Sequence, residues 1–396
     1  ERSYQVFCRT FKNEEESEEE LIFEELENSY FVSIAKTADE KYLIINNDSS
    51  ESSEVHYIDL STKAKSPSVI TNRVENVLCY VEHFKGFWLV MSNVGGNSDF
   101  QLWKSKVDGN FELIRLMESN SGSPLLDGTP IEGFVTFEHH LVIQGRKNGL
   151  AQLWVVELDE SLSVIRSERL NWDAEPAHSV DLGYNENYAA TSIIVVYESL
   201  TTPLQYVHVD LHEPSDNRIV MMTTPTPSYE KDKYACDRIN VTSRDGTTEI
   251  PVSLVYMKST IEKAKATDSF VPLHLYAYGA YGESIEDTFS SSRITLLNRG
   301  MIYAIAHVRG GGELGRQWYE DGKFLTKNNT FNDFVDVARH FVETEKWTTP
   351  NLMSCEGRSA GGLTIGSVLN QAPDLFRVAI LGVPFVDLVA TMTDAS

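Results

Sequence analysis

A strand-ending pattern that returns at a near-constant interval constrains the fold of this 396-residue chain more than any other feature. HYIDL ends at Leu60, LWKSKV at Val107, LWVVEL at Leu158 and YVHVDL at Leu211, in steps of 47, 51 and 53 residues. Around these runs lie other short aromatic and β-branched stretches, at residues 30–34 and 42–45 for example, separated by Asn/Asp/Ser clusters that read as turns. A unit of several short strands recurring every ~50 residues is the mark of β-propeller blades. One blade cannot bury both faces of its sheet, and stacking around an axis does that, which is why the pattern has to repeat. The spacing predicts a partial propeller of about four blades over residues 1–230. A β-sandwich is the alternative reading of the same spacing.

The texture changes near residues 225–234, PTPSYEKDKY. Next, INVTS and IPVSLVYM flank Arg244-Asp245-Gly246-Thr247, and Asp-Gly between alternating apolar runs predicts a hairpin. Beyond it, strands and helices alternate. Residues 273–278 and 301–308 read as buried strands, and 330–345 as a helix. Its apolar residues Phe331, Phe334, Val335, Ala338, Phe341 and Val342 fall on one helical face. Thr330 with Asp333 resembles a capping box at its start. A short strand at 352–355, a helix from about Gly361 and a strand at 378–382 follow. Such alternation implies a mostly parallel sheet covered by helices over residues 231–396.

Composition narrows the partners. With 34 basic and 58 acidic residues the formal net charge is −24, which argues against nucleic acid, whose phosphates need Lys and Arg. No apolar run approaches the ~20 residues that cross a bilayer, so no membrane partner is expected. The acidic run at residues 14–27 reads as a solvated loop or face. Cys8, Cys79, Cys236 and Cys355 lack metal-ligand or CxxC spacing, and read as free thiols in a reducing, cytoplasmic setting with no metal site. The chain opens on Glu1 with no visible leader, and the absent initiator Met suggests a fragment.

The sharpest chemical signal is Gly357-Arg358-Ser359-Ala360-Gly361, G-x-S-x-G between a predicted strand and a predicted helix. A nucleophilic serine must stand clear of the sheet on a tight, strained turn, and glycines two residues to either side avoid Cβ clashes there. The helix N-terminus supplies a positive field, and the Ala360 N–H is placed to donate to an oxyanion. An α/β-hydrolase orders its triad Ser, acid, His, yet no histidine follows Ser359. Asp374, Asp387 and Asp394 come too soon for the usual acid. His307 reads as a packed, hydrogen-bonded histidine and His340 as a surface one. The catalytic Asp and His are therefore expected beyond Ser396, and this stretch alone is expected to be inactive. Two loops also stand out. The tyrosines of Tyr276-Ala277-Tyr278-Gly279-Ala280-Tyr281-Gly282 read as core or surface residues, although a hydroxyl there could donate to an oxyanion. Arg309-Gly310-Gly311-Gly312-Glu313 reads as a tight loop lining a cleft, since it lacks both G-x-G-x-x-G and a P-loop lysine.

At these motifs the chain resembles the prolyl oligopeptidase family of serine peptidases, and within it the oligopeptidase B branch. The segments YAYGAYGESIEDTFSSSR, LLNRGMIYAIAHVRGGGELGRQWYEDGKFLTKNNTFNDF, EGRSAGGLTIGSVLNQAPDLF and GVPFVDLVATMTD carry the likeness. The resemblance implies a seven-bladed propeller joined to an α/β-hydrolase domain, and a serine endopeptidase that cleaves short, basic peptides after Arg or Lys without a cofactor. It implies Ser359 as nucleophile, Tyr278 with the Ala360 N–H as the oxyanion hole, and Tyr281 at the border of the substrate pocket. Glu286 falls where the branch carries an acid for basic substrates. A second acid of that loop is replaced or shifted, with Asp287 and Thr288 nearby. The acids contacting the residue before the scissile bond are expected beyond Ser396. An esterase or thioesterase relative, or a non-catalytic propeller that binds a peptide, would share much of this sequence.

Overall fold

The computed structural model describes residues 2–9, 19–62, 65–107, 113–117, 122–172, 174–215 and 218–393. Four four-stranded antiparallel sheets follow one another along the first half. They run from Phe31–Lys36 to Ser68–Thr71, from Cys79–Phe84 to Ile114–Arg115, from Ile131–Thr136 to Val164–Arg169, and from His178–Leu182 to Arg218–Thr223. The pattern that recurs in the sequence is the third strand of each: Ser53–Asp59, Gln101–Lys106, Leu150–Leu158 and Gln205–Asp210. In every blade that strand pairs along its length with the second, which places it inside the sheet.

Alternation explains the packing. In the third blade Leu141 and Ile143 join Trp154 and Val156 in a core shared with the second blade, through Leu89, Met91 and Leu102. Their strand neighbours Val142, Leu153 and Val155 point the other way, against Val180, Val195 and Val207 of the fourth blade. Successive side chains of a strand lie on opposite faces, and both faces of the third blade are buried because it is sandwiched between the second and the fourth. A further hairpin, Gln5–Arg9 with Glu19–Glu24, packs Val6 against Val32 and Ile45 of the first blade. Residues 19–24 of the acidic run thus form a mostly exposed strand, a solvated face, and residues 14–18 lie outside the described residues.

The second half is a six-stranded sheet in the order Tyr234–Thr242, Glu249–Met257, Ile302–Ala306, Leu273–Tyr276, Met353–Arg358, Val378–Gly382. The first two strands form the Asp245-Gly246 hairpin, and the last four are mutually parallel. The Asn328–Arg339 helix buries Phe331, Phe334, Val335 and Ala338 in one core with Leu275, Cys355, Ile365 and Val368, as its apolar face predicts. Its start differs from the expectation. It begins two residues before Thr330, and Thr330 and Asp333 lie inside it, turned toward the 309–322 segment. Asp333 accepts three hydrogen bonds from Arg309, through its backbone N–H, Nε and Nη2. Cys79, Cys236 and Cys355 are buried, Cys8 is partly so, and all four are free. No helix among the described residues is long and apolar enough to cross a membrane.

Candidate active site

The parallel strands Leu273–Tyr276 and Met353–Arg358 lie side by side, with Tyr276 opposite Glu356. Their C-terminal ends bring residues 277–285 and Ser359 to one rim of the sheet. Ser359 is the residue between the Met353–Arg358 strand and the Ala360–Gln371 helix, and it is exposed. Its backbone adopts φ 55° and ψ −118°, a region that non-glycine residues avoid. The surroundings hold it there. Ser359 N–H donates to the Gly382 carbonyl at 2.9 Å, and its own carbonyl accepts from Gly362 N–H at 2.9 Å and Phe385 N–H at 3.0 Å. A Cβ at Gly357 would overlap the Gly361 carbonyl oxygen, and one at Gly361 would lie 2.8 Å from the Ala277 carbonyl oxygen. The glycines are required because helix and strand backbones approach that closely. Ala360 is buried, and among the described residues its N–H has no protein acceptor. It opens the helix, where the dipole is positive.

The Tyr278 turn faces this N-terminus. Thr364 Oγ1 donates to the Tyr278 carbonyl at 3.2 Å, which ties the turn to the helix behind Ser359. Tyr278 is half-buried. Burial raises its pKa, the charges near it raise it further, and the Ser359 side chain lies close enough to pull it back. Its hydroxyl therefore stays a proton donor at neutral pH. Ser359, Tyr278 and Tyr281 line one cleft of about 400 Å³, which Glu283 and Arg358 also enter. Tyr281 is 72% exposed, at the cleft mouth.

Glu286 is not brought into this cleft. Its carboxylate is ion-paired with Arg146 of the third blade, whose Nε also donates to Glu132 at 2.6 Å. The reason is the direction of the loop. After Ile285, whose N–H donates to Glu313 Oε1 at 2.9 Å, the chain turns toward the propeller, and Phe289 N–H reaches Glu198 at 2.8 Å. The Arg309–Glu313 loop does not line the cleft either. It lies beneath the Tyr278 loop, with Gly310 accepting from Gly282 N–H at 3.1 Å. Lys327 supports the same turn, donating to the Gly279 carbonyl and, at 3.2 Å, to Thr330 Oγ1. Among the described residues it has no carboxylate partner, and burial pushes its pKa down to about 8.

No histidine lines the cleft among the described residues. His307 is buried, 2.9 Å from Ser253 Oγ, and Ser253 donates to Asp287 at 2.8 Å. His340 is half-buried beside Glu345 at 3.6 Å, and His274 pairs with Glu356 at 3.0 Å. Sequence reasoning missed Glu283 and Arg358 in the cleft and Arg146 and Lys327 around it. Glu283 and Arg358 sit inside the two motifs already singled out. The other two carry no local signal, since their partners are distant in sequence.

Comparison with known proteins bears on the same arrangement. Residues 4–220 match the profile described as prolyl oligopeptidase, N-terminal beta-propeller domain, and residues 287–396 match that of the prolyl oligopeptidase family. The chain is 33% identical over 378 residues to Protease 2 of Moraxella lacunata, covering 96% of this chain and 52% of that protein. It is 34% identical to dipeptidyl aminopeptidase BI of Pseudoxanthomonas mexicana, covering 96% and 50%. The chain thus spans about half the length of these curated relatives. The closed form of oligopeptidase B from Trypanosoma brucei, solved with covalently bound antipain, superposes with a TM-score of 0.87 at 36% identity, covering 99% of this chain and 54% of that one. With blades in the first half, a strained serine at the sheet rim in the second, and a propeller profile matching more than half of its length, the chain belongs to the prolyl oligopeptidase family.

Proposed function

We propose that the protein carrying this chain is a serine endopeptidase that hydrolyses short peptides, with preference for cleavage after Arg or Lys. The observation that carries the reading is Ser359, exposed and strained on a strand-to-helix turn, sharing a cleft with Tyr278. Ser359 Oγ attacks the scissile carbonyl. The Tyr278 hydroxyl and the Ala360 N–H then receive the negative charge that develops on the carbonyl oxygen, and one such donor is typically worth about 2.7–4 kcal/mol. Tyr281 borders the substrate at the cleft mouth. The base that takes the Ser359 proton and the acid that orients it come from the length of the relatives that this chain does not span. In this reading residues 1–230 restrict access and 231–396 supply the catalytic sheet.

The preference for basic residues is supported by the resemblance to oligopeptidase B and by a net charge of −24, which favours the approach of cationic peptides. Glu286 reaches a substrate cation only where that cation displaces Arg146. A fluorophosphonate probe tests the nucleophile. It should label the full-length protein at Ser359 and fail on Ser359→Ala, and labelling that persists in the variant would remove Ser359 from the mechanism.

A further inference from the structure

The carboxylate that lines the Ser359 cleft is Glu283, not the acid that the family resemblance singles out. It is exposed, two residues beyond Tyr281 in the loop that frames the cleft. Among the described residues its carboxylate makes no hydrogen bond and no ion pair. The neighbouring acids are all engaged. Glu286 is held by Arg146, Asp287 by Ser253 at 2.8 Å and Arg238 at 3.0 Å, and Glu313 by the Ile285 N–H. Glu283 also lies near enough to Tyr278 for its negative charge to raise the tyrosine pKa. The structure thus places an unpaired carboxylate in the cleft that Tyr278 and Ser359 share.

A carboxylate in that position does no service to an oxyanion. Its charge opposes the one that develops at the scissile carbonyl, so unmatched it would weaken the site. A bound cation reverses that effect, because it neutralises Glu283 as the substrate seats. The cleft's own cation, Arg358, is exposed and does not pair with it among the described residues. We propose that Glu283 is a specificity-determining residue that receives a cationic group of the peptide substrate. The inference rests on the reading of Ser359 as nucleophile. Two sources supply such a cation: an Arg or Lys side chain, or the free α-ammonium of the peptide.

The full-length protein and its Glu283→Gln variant separate these possibilities. Uncleavable peptides with a reduced scissile bond are titrated calorimetrically in two matched pairs, arginine against citrulline and free against acetylated N-terminus. Glu283→Gln should weaken one cationic peptide by about three- to ten-fold, the range of a partly exposed ion pair, and leave the neutral, acetylated peptide unchanged. Loss confined to the arginine pair assigns Glu283 to a side chain, and loss confined to the amino-terminal pair assigns it to the ammonium. Affinities equal to wild type for all four peptides would overturn the proposal. Fluorophosphonate labelling of Ser359 is followed in the same samples. Absent labelling with Glu283-dependent binding would defeat the nucleophile reading and leave the cation subsite standing, whereas normal labelling with unchanged binding would do the reverse.

Discussion

Ser359 holds a backbone conformation that a serine would leave if its neighbours did not over-determine it. Four backbone hydrogen bonds, the fourth from Leu363 N–H at 3.3 Å, and two close glycine approaches do so, and they leave the residue exposed. Tyr278 is placed by a different logic, its main chain tied down through Thr364 and its hydroxyl left to the cleft. The division predicts a kinetic split. Tyr278→Phe keeps the ring and removes one donor, so in the full-length enzyme kcat should fall by about 100-fold with little change in KM, because the contact forms as charge develops. Steady-state kinetics on one peptide substrate decides it, and an unchanged kcat would make Tyr278 a packing residue. Ser359 was legible from its own pentapeptide, since a glycine, a serine and a glycine at that spacing state their backbone requirement locally. Glu283 was not, because whether an acid is free or paired depends on what the rest of the chain brings to it.

Two elements carry the turn. The first is the strand–helix junction, where helix and strand backbones are in contact. Gly357→Ala drives a methyl into the Gly361 carbonyl, which is backbone and cannot swing aside, and against the buried Ile365 side chain at 2.8 Å. Destabilisation of about 3 kcal/mol or more is expected, at the upper end for overpacking, and urea unfolding measures it. The second is the Asn328–Arg339 helix with Lys327 at its start. An unfolded lysine keeps its proton to its ordinary pKa of 10.5, whereas burial makes folded Lys327 release it near 8. Between those values the unfolded chain binds more protons, so stability rises with pH there and the cost of burying the charge is fully felt below about 8. Relative to Lys327→Met, the wild type should therefore gain stability from pH 8 to 10.5, by at most about 3 kcal/mol, in urea titrations at stepped pH. The apolar face of this helix was readable from periodicity alone. Its polar residues misled, because Thr330 and Asp333 fit a capping box but are claimed by Arg309 and Gly322, which only the folded sheet brings near.

At the scale of the molecule, propeller and sheet meet through charges. Arg146 joins Glu132 and Glu286, Asp99 accepts from Arg316 N–H at 2.7 Å, and Glu198 accepts from Phe289 N–H at 2.8 Å. Beside them Ala177 and Leu200 of the propeller pack with Tyr234, Val255 and Ile305 of the sheet. Burial already pushes the Glu132 carboxyl above the usual range, with Arg146 opposing that rise. Arg146→Met should leave two acids facing each other without their cation, and because both carboxylates are partly exposed, solvent screening holds the loss to about 1–2 kcal/mol. The two halves should separate more readily at pH 7 than in mild acid, where the Glu132 carboxyl, raised by burial, takes up a proton and the repulsion falls away. Small-angle scattering of the full-length variant measures this, and a radius of gyration equal to wild type at both pH values would show that apolar contacts alone hold the halves together.

Blade repeat, helix face and serine turn were set by the sequence by itself, because each is a local period or a local backbone demand that neighbouring residues express together. The tertiary structure decided the company each charge keeps. Arg146 and Glu286 lie 140 residues apart, and nothing in either segment announces the other. An ion pair forms wherever folding brings two opposite charges within reach at a cost that burial makes steep, so its members are chosen by topology and not by spacing. That choice withdrew Glu286 from the cleft and left Glu283 free in it.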